Sequence, residues 1–217
     1  MLIVDSGADV TIDLNGRRIV TAEHSASAES CGTYAVIRVL GTLTLLDSSG
    51  TDSGSVQGGA NGVYVGQSGR FYLQGGSIRE NGYADKAIPS LGGVYIDGGA
   101  MEMEGGRVSQ NNYSYRGSGS DKYIGGGGIQ LQNGGSCVMR GGSVSENAFY
   151  LKNQGWNWNS VFGGGGIYVG NGSTFTMEGG SVTDNTAQDK TSGSYLFAGG
   201  GVATSKEGIA HLKGGSV

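Results

Sequence analysis

Between Gly165 and Asn185 apolar and polar positions alternate: Ile167 and Val169, then Phe175 and Met177, then Val182 are interleaved with Tyr168, Thr176, Glu178 and Thr183. A period of two over short runs is the pattern of strands with one buried face, and it predicts three short strands in this stretch. Paired glycines such as Gly179-Gly180 separate the runs. They stand where a sharply turning chain needs positive φ or has no room for a Cβ.

Degraded copies of this stretch recur along most of the chain. Aligned on the aliphatic residue after the glycine pair, they place Ile78, Val108, Val144, Val182 and Val217 in one column, with Val56 and Ile19 as earlier members. The spacings are 37, 22, 30, 36, 38 and 35 residues. Repeats of about 20 to 50 residues indicate a solenoid, propeller or array. Three alternating strands and three corners per unit describe one coil of a parallel β-helix. The expected fold is therefore all-β, a single right-handed parallel β-helix of about six coils with three strands per coil. The 22 residues from Val56 to Ile78 are about what one coil needs. Longer spacings are that coil plus an inserted loop of roughly 8 to 16 residues, always between the Asn column and the next glycine run, so long loops emerge on one side.

In chain order, Val10 to Ile19 reads as a partial first coil and Thr21 to Thr33 as its polar loop, where Glu23 and His24 form a solvated pair. Ala35 to Val39, Leu43 to Leu45 and Ser55-Val56 supply the second coil, and from Gly62 the copies are regular. No linker interrupts them, so residues 1–217 are read as one domain. Lys213 to Val217 stops inside a repeat, which suggests a segment of a longer solenoid with a tendency to pair end to end through its last coil.

Identical positions of successive coils stack about 4.8 Å apart, so alignment columns become ladders. Glu104, Arg140, Glu178 and Lys213 form a column of alternating charge on the outward side of the second strands. Asn81, Asn111, Asn147 and Asn185 form another at the end of the third strands, where asparagine tolerates left-handed backbone and bonds its stacked neighbour. Both read as scaffold.

Composition narrows the function classes. The 46 glycines and single proline belong to corners, without collagen's three-residue period. A net charge of −4 gives no pull toward nucleic acid or anionic lipid. No apolar run approaches the roughly 20 residues of a membrane span, so no membrane insertion by this segment is expected. Cys31 and Cys137 lie several coils apart and are read as free thiols, Cys137 in an inward position. No nucleotide, zinc or EF-hand spacing appears, and neither does the calcium-binding nonapeptide, so no cofactor or metal is expected.

The glycine-run motif GGGGI at Gly125 to Ile129 and Gly163 to Ile167, with the GGSV and (S/T)xN segments, resembles the right-handed parallel β-helix repeats of bacterial surface proteins. These include autotransporter-like and polymorphic-membrane-protein-like adhesins and the pectin-lyase-like superfamily, whose first coil VTIDLNGRRI also resembles. The resemblance implies an extracellular or cell-surface location, with targeting segments outside this stretch. It implies a non-catalytic module for adhesion or glycan binding, with a glycan or a host or bacterial surface protein as partner. Alternatives are a polysaccharide lyase or glycoside hydrolase and a structural spacer assembling end to end. Enzymes of the superfamily carry two or three carboxylates in the cleft beside the first strands. Here only Asp97 lies near, and Asp85, Asp121 and Asp189 each precede a lysine, so no catalytic residue is assigned.

The loops hold 11 of the 18 aromatics, which makes their side of the helix the candidate binding face. The ligand-binding candidates are Trp156, Trp158, Tyr150 and Tyr123 in the loops and Tyr64, Tyr95 and Tyr168 in the outward first-strand column. Flat rings with polar rims suit sugar stacking and hydrogen bonding. Alternatively, the rings fold inward and cover the coil.

Overall fold

The computed structural model describes residues 1–21, 35–51, 53–82, 90–115, 123–151, 161–189 and 196–217. Every regular element among them is a β-strand, and the strands wind as a right-handed parallel β-helix. The first sheet stacks Leu2–Val4, Ala35–Val39, Asn61–Val65, Ser90–Asp97, Ile129–Gln132, Ile167–Val169 and Val202–Thr204. The second stacks Asp9–Asp13, Thr42–Leu46, Arg70–Leu73, Ala100–Met103, Ser136–Met139, Thr174–Met177 and Ile209–Leu212. The third holds Arg18–Val20, Ser55–Gln57, Ser77–Arg79, Arg107–Ser109, Ser143–Ser145 and Ser181–Thr183, and Ser216 bridges to Ser181.

The second sheet has seven strands, one more layer than the six coils expected. Both end coils, which in sequence look incomplete, are paired along their length. Leu2–Val4 shows no alternation of its own, yet Leu2 pairs with Ile37 and Val4 with Val39 in parallel register. At the two ends Leu2, Ile3, Val20, Ile209 and Leu212 are exposed.

Inward residues stack like on like. Leu43, Phe71, Met101, Cys137 and Phe175 form one column and Leu45, Leu73, Met103, Met139 and Met177 the next, and none is more than 1% exposed. Burial of each such side chain is worth about 1.5–3 kcal/mol. The Cys137 thiol is free, and burial pushes it up to about 12.

The glycine pairs have two separate causes. A Cβ on Gly179 would lie 2.5 Å from the Arg140 carbonyl oxygen one layer below, where backbone packs on backbone. Gly180 has φ +83°, and its Cβ would meet the Met139 methyl at 2.6 Å. The first glycine is required by space and the second by both space and conformation.

At the corner after the third strands the asparagines form a continuous amide ladder. Asn111 Oδ1 accepts from the backbone N–H and the Nδ2 of Asn81 at 3.1 and 3.0 Å, and Asn147 and Asn185 repeat the arrangement on the next two layers. Each Nδ2 also donates to the carbonyl of the core aliphatic residue one layer back: Val56, Ile78, Val108 and Val144 for Asn81, Asn111, Asn147 and Asn185. Left-handed backbone falls on the residue before each asparagine, Glu80, Gln110, Glu146 and Asp184, with φ of 53–57°. The asparagines supply the bonds, and their predecessors make the turn.

The charge column is paired less simply than its alternation predicts. Arg140 bonds Glu102, a diagonal neighbour, together with Glu178 (3.2 Å); Lys213 reaches Glu178 at 3.8 Å, and Glu104 accepts from Gln74 at 3.0 Å. All four positions are exposed, so each pair contributes well under about 1 kcal/mol.

Candidate binding face

The inserts leave the coil after Asn111, Asn147 and Asn185, and their described ends are strands rather than irregular loops. Asn112–Tyr115, Ala148–Leu151 and Thr186–Asp189 stack in parallel, as do Tyr123–Gly126, Val161–Gly164 and Leu196–Gly199. The first set joins the first sheet through an antiparallel pairing, Leu91 with Tyr113. Because successive inserts follow the same corner, the stacking of the coils carries over into them.

These strands have a small core of their own. Tyr113 stacks on Phe149 with ring centroids 4.9 Å apart and planes 18° from parallel, and the two are 4% and 0% exposed. A Cβ on Gly125 would lie 2.3 Å from the Tyr113 ring, and one on Gly163 2.7 Å from the Phe149 ring. The first glycine of each run, Gly125 and Gly163, therefore makes room for an insert ring, while the glycines after it pack mainly against backbone. For these two aromatics the structure shows the covering role.

The outward column of the first sheet reads Arg38, Tyr64, Tyr95, Gln130, Tyr168 in register. Its two ends differ. Tyr64 and Tyr95 are half-buried, with ring centroids 5.7 Å apart and planes tilted by 53°. The Arg38 guanidinium lies 5.6 Å from the Tyr64 ring centre, within cation–π range. The Tyr64 hydroxyl donates to Asp97 Oδ2 at 2.8 Å, and Asn133 Nδ2 donates to Asp97 Oδ1 at 2.6 Å. Both carboxylate oxygens are thus held from within the column's neighbourhood.

Tyr168 is fully enclosed, and burial raises the pKa of its hydroxyl; Ser205 approaches that hydroxyl without a hydrogen bond of normal geometry. The strands Tyr123–Gly126 and Val161–Gly164 pass against its backbone: Cβ atoms on Gly126 and Gly164 would lie 3.1 and 3.3 Å from Tyr168 N. With none of its surface exposed and its ring 2.8 Å from where a Cβ on Gly170 would stand, Tyr168 is closed off from the face that Tyr64 and Tyr95 line. Gln130, between them, is 4% exposed. Tyr150 is half-buried in the insert sheet, in register with Ser114 and Gln188. Of Tyr123 only the backbone is described, and Trp156 and Trp158 lie outside the described residues.

The sequence reading overlooked Arg38 and Asn133. Arg38 was legible, since it sits in the first strand of the second coil at the position aligned with Tyr64. Asn133 carries no strand signal and reaches Asp97 only because Asp97 and Gln132 are register partners. Compared with protein-family models, with curated proteins and with solved structures, the chain gives no match.

Proposed function

We propose that this chain is a non-catalytic β-helix module of a secreted or cell-surface bacterial protein, kin to the pectin-lyase-like and adhesin β-helices, and that it binds glycans. The observation that carries the reading is the pair Tyr64 and Tyr95, two tilted, half-buried rings on adjacent layers beside a carboxylate held by Tyr64 and Asn133. Rings of this kind present a CH-stacking face for a sugar. The fixed Asp97 and the Arg38 guanidinium supply an acceptor and donors for hydroxyls. Preorganisation matters here because a weak polar ligand cannot compensate the ordering of loose side chains.

The test is a glycan-array screen of the wild-type chain beside Tyr64→Ala/Tyr95→Ala and Trp156→Ala/Trp158→Ala variants. Loss of both tyrosines should lower affinity for the selected glycan about tenfold or more, as stacking energies of roughly 0.5–1.5 kcal/mol per ring imply. Absence of any glycan signal for the wild type would sink the reading, and release of shortened product from a bound polysaccharide would replace it with catalysis.

A further inference from the structure

We infer that Asn171 is a site of spontaneous covalent modification, where the side-chain amide is lost as ammonia through attack by the Gly172 backbone nitrogen. The sequence holds five Asn-Gly dipeptides, beginning at Asn15, Asn61, Asn81, Asn133 and Asn171. Glycine has no side chain to shield its nitrogen, so all five carry the reactive pairing. The fold separates them.

Asn61 and Asn81 are 1% and 0% exposed and held in place. Asn61 Oδ1 accepts from Leu91 N at 3.1 Å, Asn81 stands in the amide ladder, and the Gly82 N–H donates to Gly59 O at 2.8 Å. The other three asparagines are exposed, in left-handed turns of one kind. Their φ values are 42°, 55° and 39° at Asn15, Asn133 and Asn171, and 74°, 79° and 69° at the glycines that follow. The same bond closes each turn: Arg17 N to Leu14 O, Gly135 N to Gln132 O, Ser173 N to Gly170 O. Turn shape therefore does not distinguish them.

The glycine N–H does. That of Gly16 donates to Asp47 Oδ1 at 2.7 Å and that of Gly134 to Asn171 O at 3.0 Å, on the next layer. Among the described residues no hydrogen bond reaches the Gly172 N–H or the Asn171 side chain. The cause lies in the layer above, where the equivalent turn is Ser205-Lys206-Glu207-Gly208. Lys206 and Glu207 keep negative φ, so this turn has the opposite hand and offers no carbonyl to Gly172.

In the reaction the Gly172 nitrogen gives up its proton and bonds to the Asn171 side-chain carbonyl carbon. The Cγ–Nδ2 bond breaks, and ammonia leaves with that proton. Water then opens the cyclic imide to aspartate, or to isoaspartate with an extra methylene in the main chain. Isoaspartate displaces Asn171 O, the acceptor that guards Gly134. Asn133, whose Nδ2 holds Asp97 Oδ1 at 2.6 Å, is therefore the second to react.

The test is peptide mapping by mass spectrometry during incubation of the native chain in mildly alkaline buffer, beside the same chain in denaturant. In denaturant the five sites should react at similar rates. In the native protein Asn171 should react first, about fivefold or more faster than Asn15 and Asn133, the weight of one backbone hydrogen bond, and Asn133 should follow after a lag. Lys206→Asn/Glu207→Gly, which gives the last turn the left-handed Asn-Gly sequence, should slow Asn171 to the rate of Asn133. Native reaction at Asn15 or Asn133 as fast as at Asn171, or no reaction at Asn171, overturns the inference. An unchanged Asn171 rate in the variant, with a melt matching wild type, overturns it as well.

Discussion

Tyr113 and Phe149 stack face to face at 4.9 Å, and each ring occupies the space above a glycine, Gly125 and Gly163. One layer further on, the register partners of Phe149 and Gly163 are Ala187 and Ala198. The predicted consequence is non-additivity. Gly163→Ala should cost about 1–3 kcal/mol in the wild type, because the ring must move. In a Phe149→Ala background it should cost much less. Denaturant unfolding of the four proteins in the cycle measures this, and additive costs would show that ring and glycine do not share the space.

The amide ladder should be more sensitive than the charge ladder. Asn147→Ala removes the acceptor for Asn111 and the donor to Val108 O, leaving buried polar groups without partners. The expected loss is about 2–4 kcal/mol. Glu104→Ala, at an exposed position, should change stability by less than about 0.5 kcal/mol. Comparable losses in chemical unfolding would contradict the ranking.

Acid should weaken the first coils. Hydrogen bonds from the Ser48 side chain and backbone hold Asp13 below its ordinary 3.8. At Asp47 burial acts upward, but bonds from Gly16, Gly54 and Ser49 outweigh it and lower the pKa too. A carboxylate depressed in the folded state contributes its stability above the unfolded value, and that contribution is lost as pH falls through the folded value. Melting temperature should therefore drop below pH about 4, and Asp47→Asn should flatten that decline. An unchanged acid limb in the variant would count against it.

Cys137 should be chemically silent in the folded protein. Its thiol is buried and pushed up to about 12, so almost no thiolate exists at neutral pH. In a Cys31→Ser background, labelling by a thiol reagent should follow the unfolding rate and be immediate in denaturant. Fast labelling of the native protein would show that the core opens locally.

Period-two alternation, the glycine pairs and the regular spacing determine the β-helix, because each is a local property: which residues face inward, and where a Cβ has no room. The same logic placed the Asn column, the charge column and the common exit of the inserts. Local pattern carried no information on burial beyond the coil. Tyr64, Tyr95 and Tyr168 occupy one column and look equivalent in sequence, yet Tyr168 is enclosed while the other two keep exposed edges. What packs over each layer sets the burial of equivalent column positions, and that depends on contacts between segments far apart in the chain. Likewise the left-handed turn fell on Glu80, Gln110, Glu146 and Asp184 rather than on the asparagines after them. Each asparagine amide is committed to bonds on neighbouring layers, and those bonds exist only once the coils are stacked.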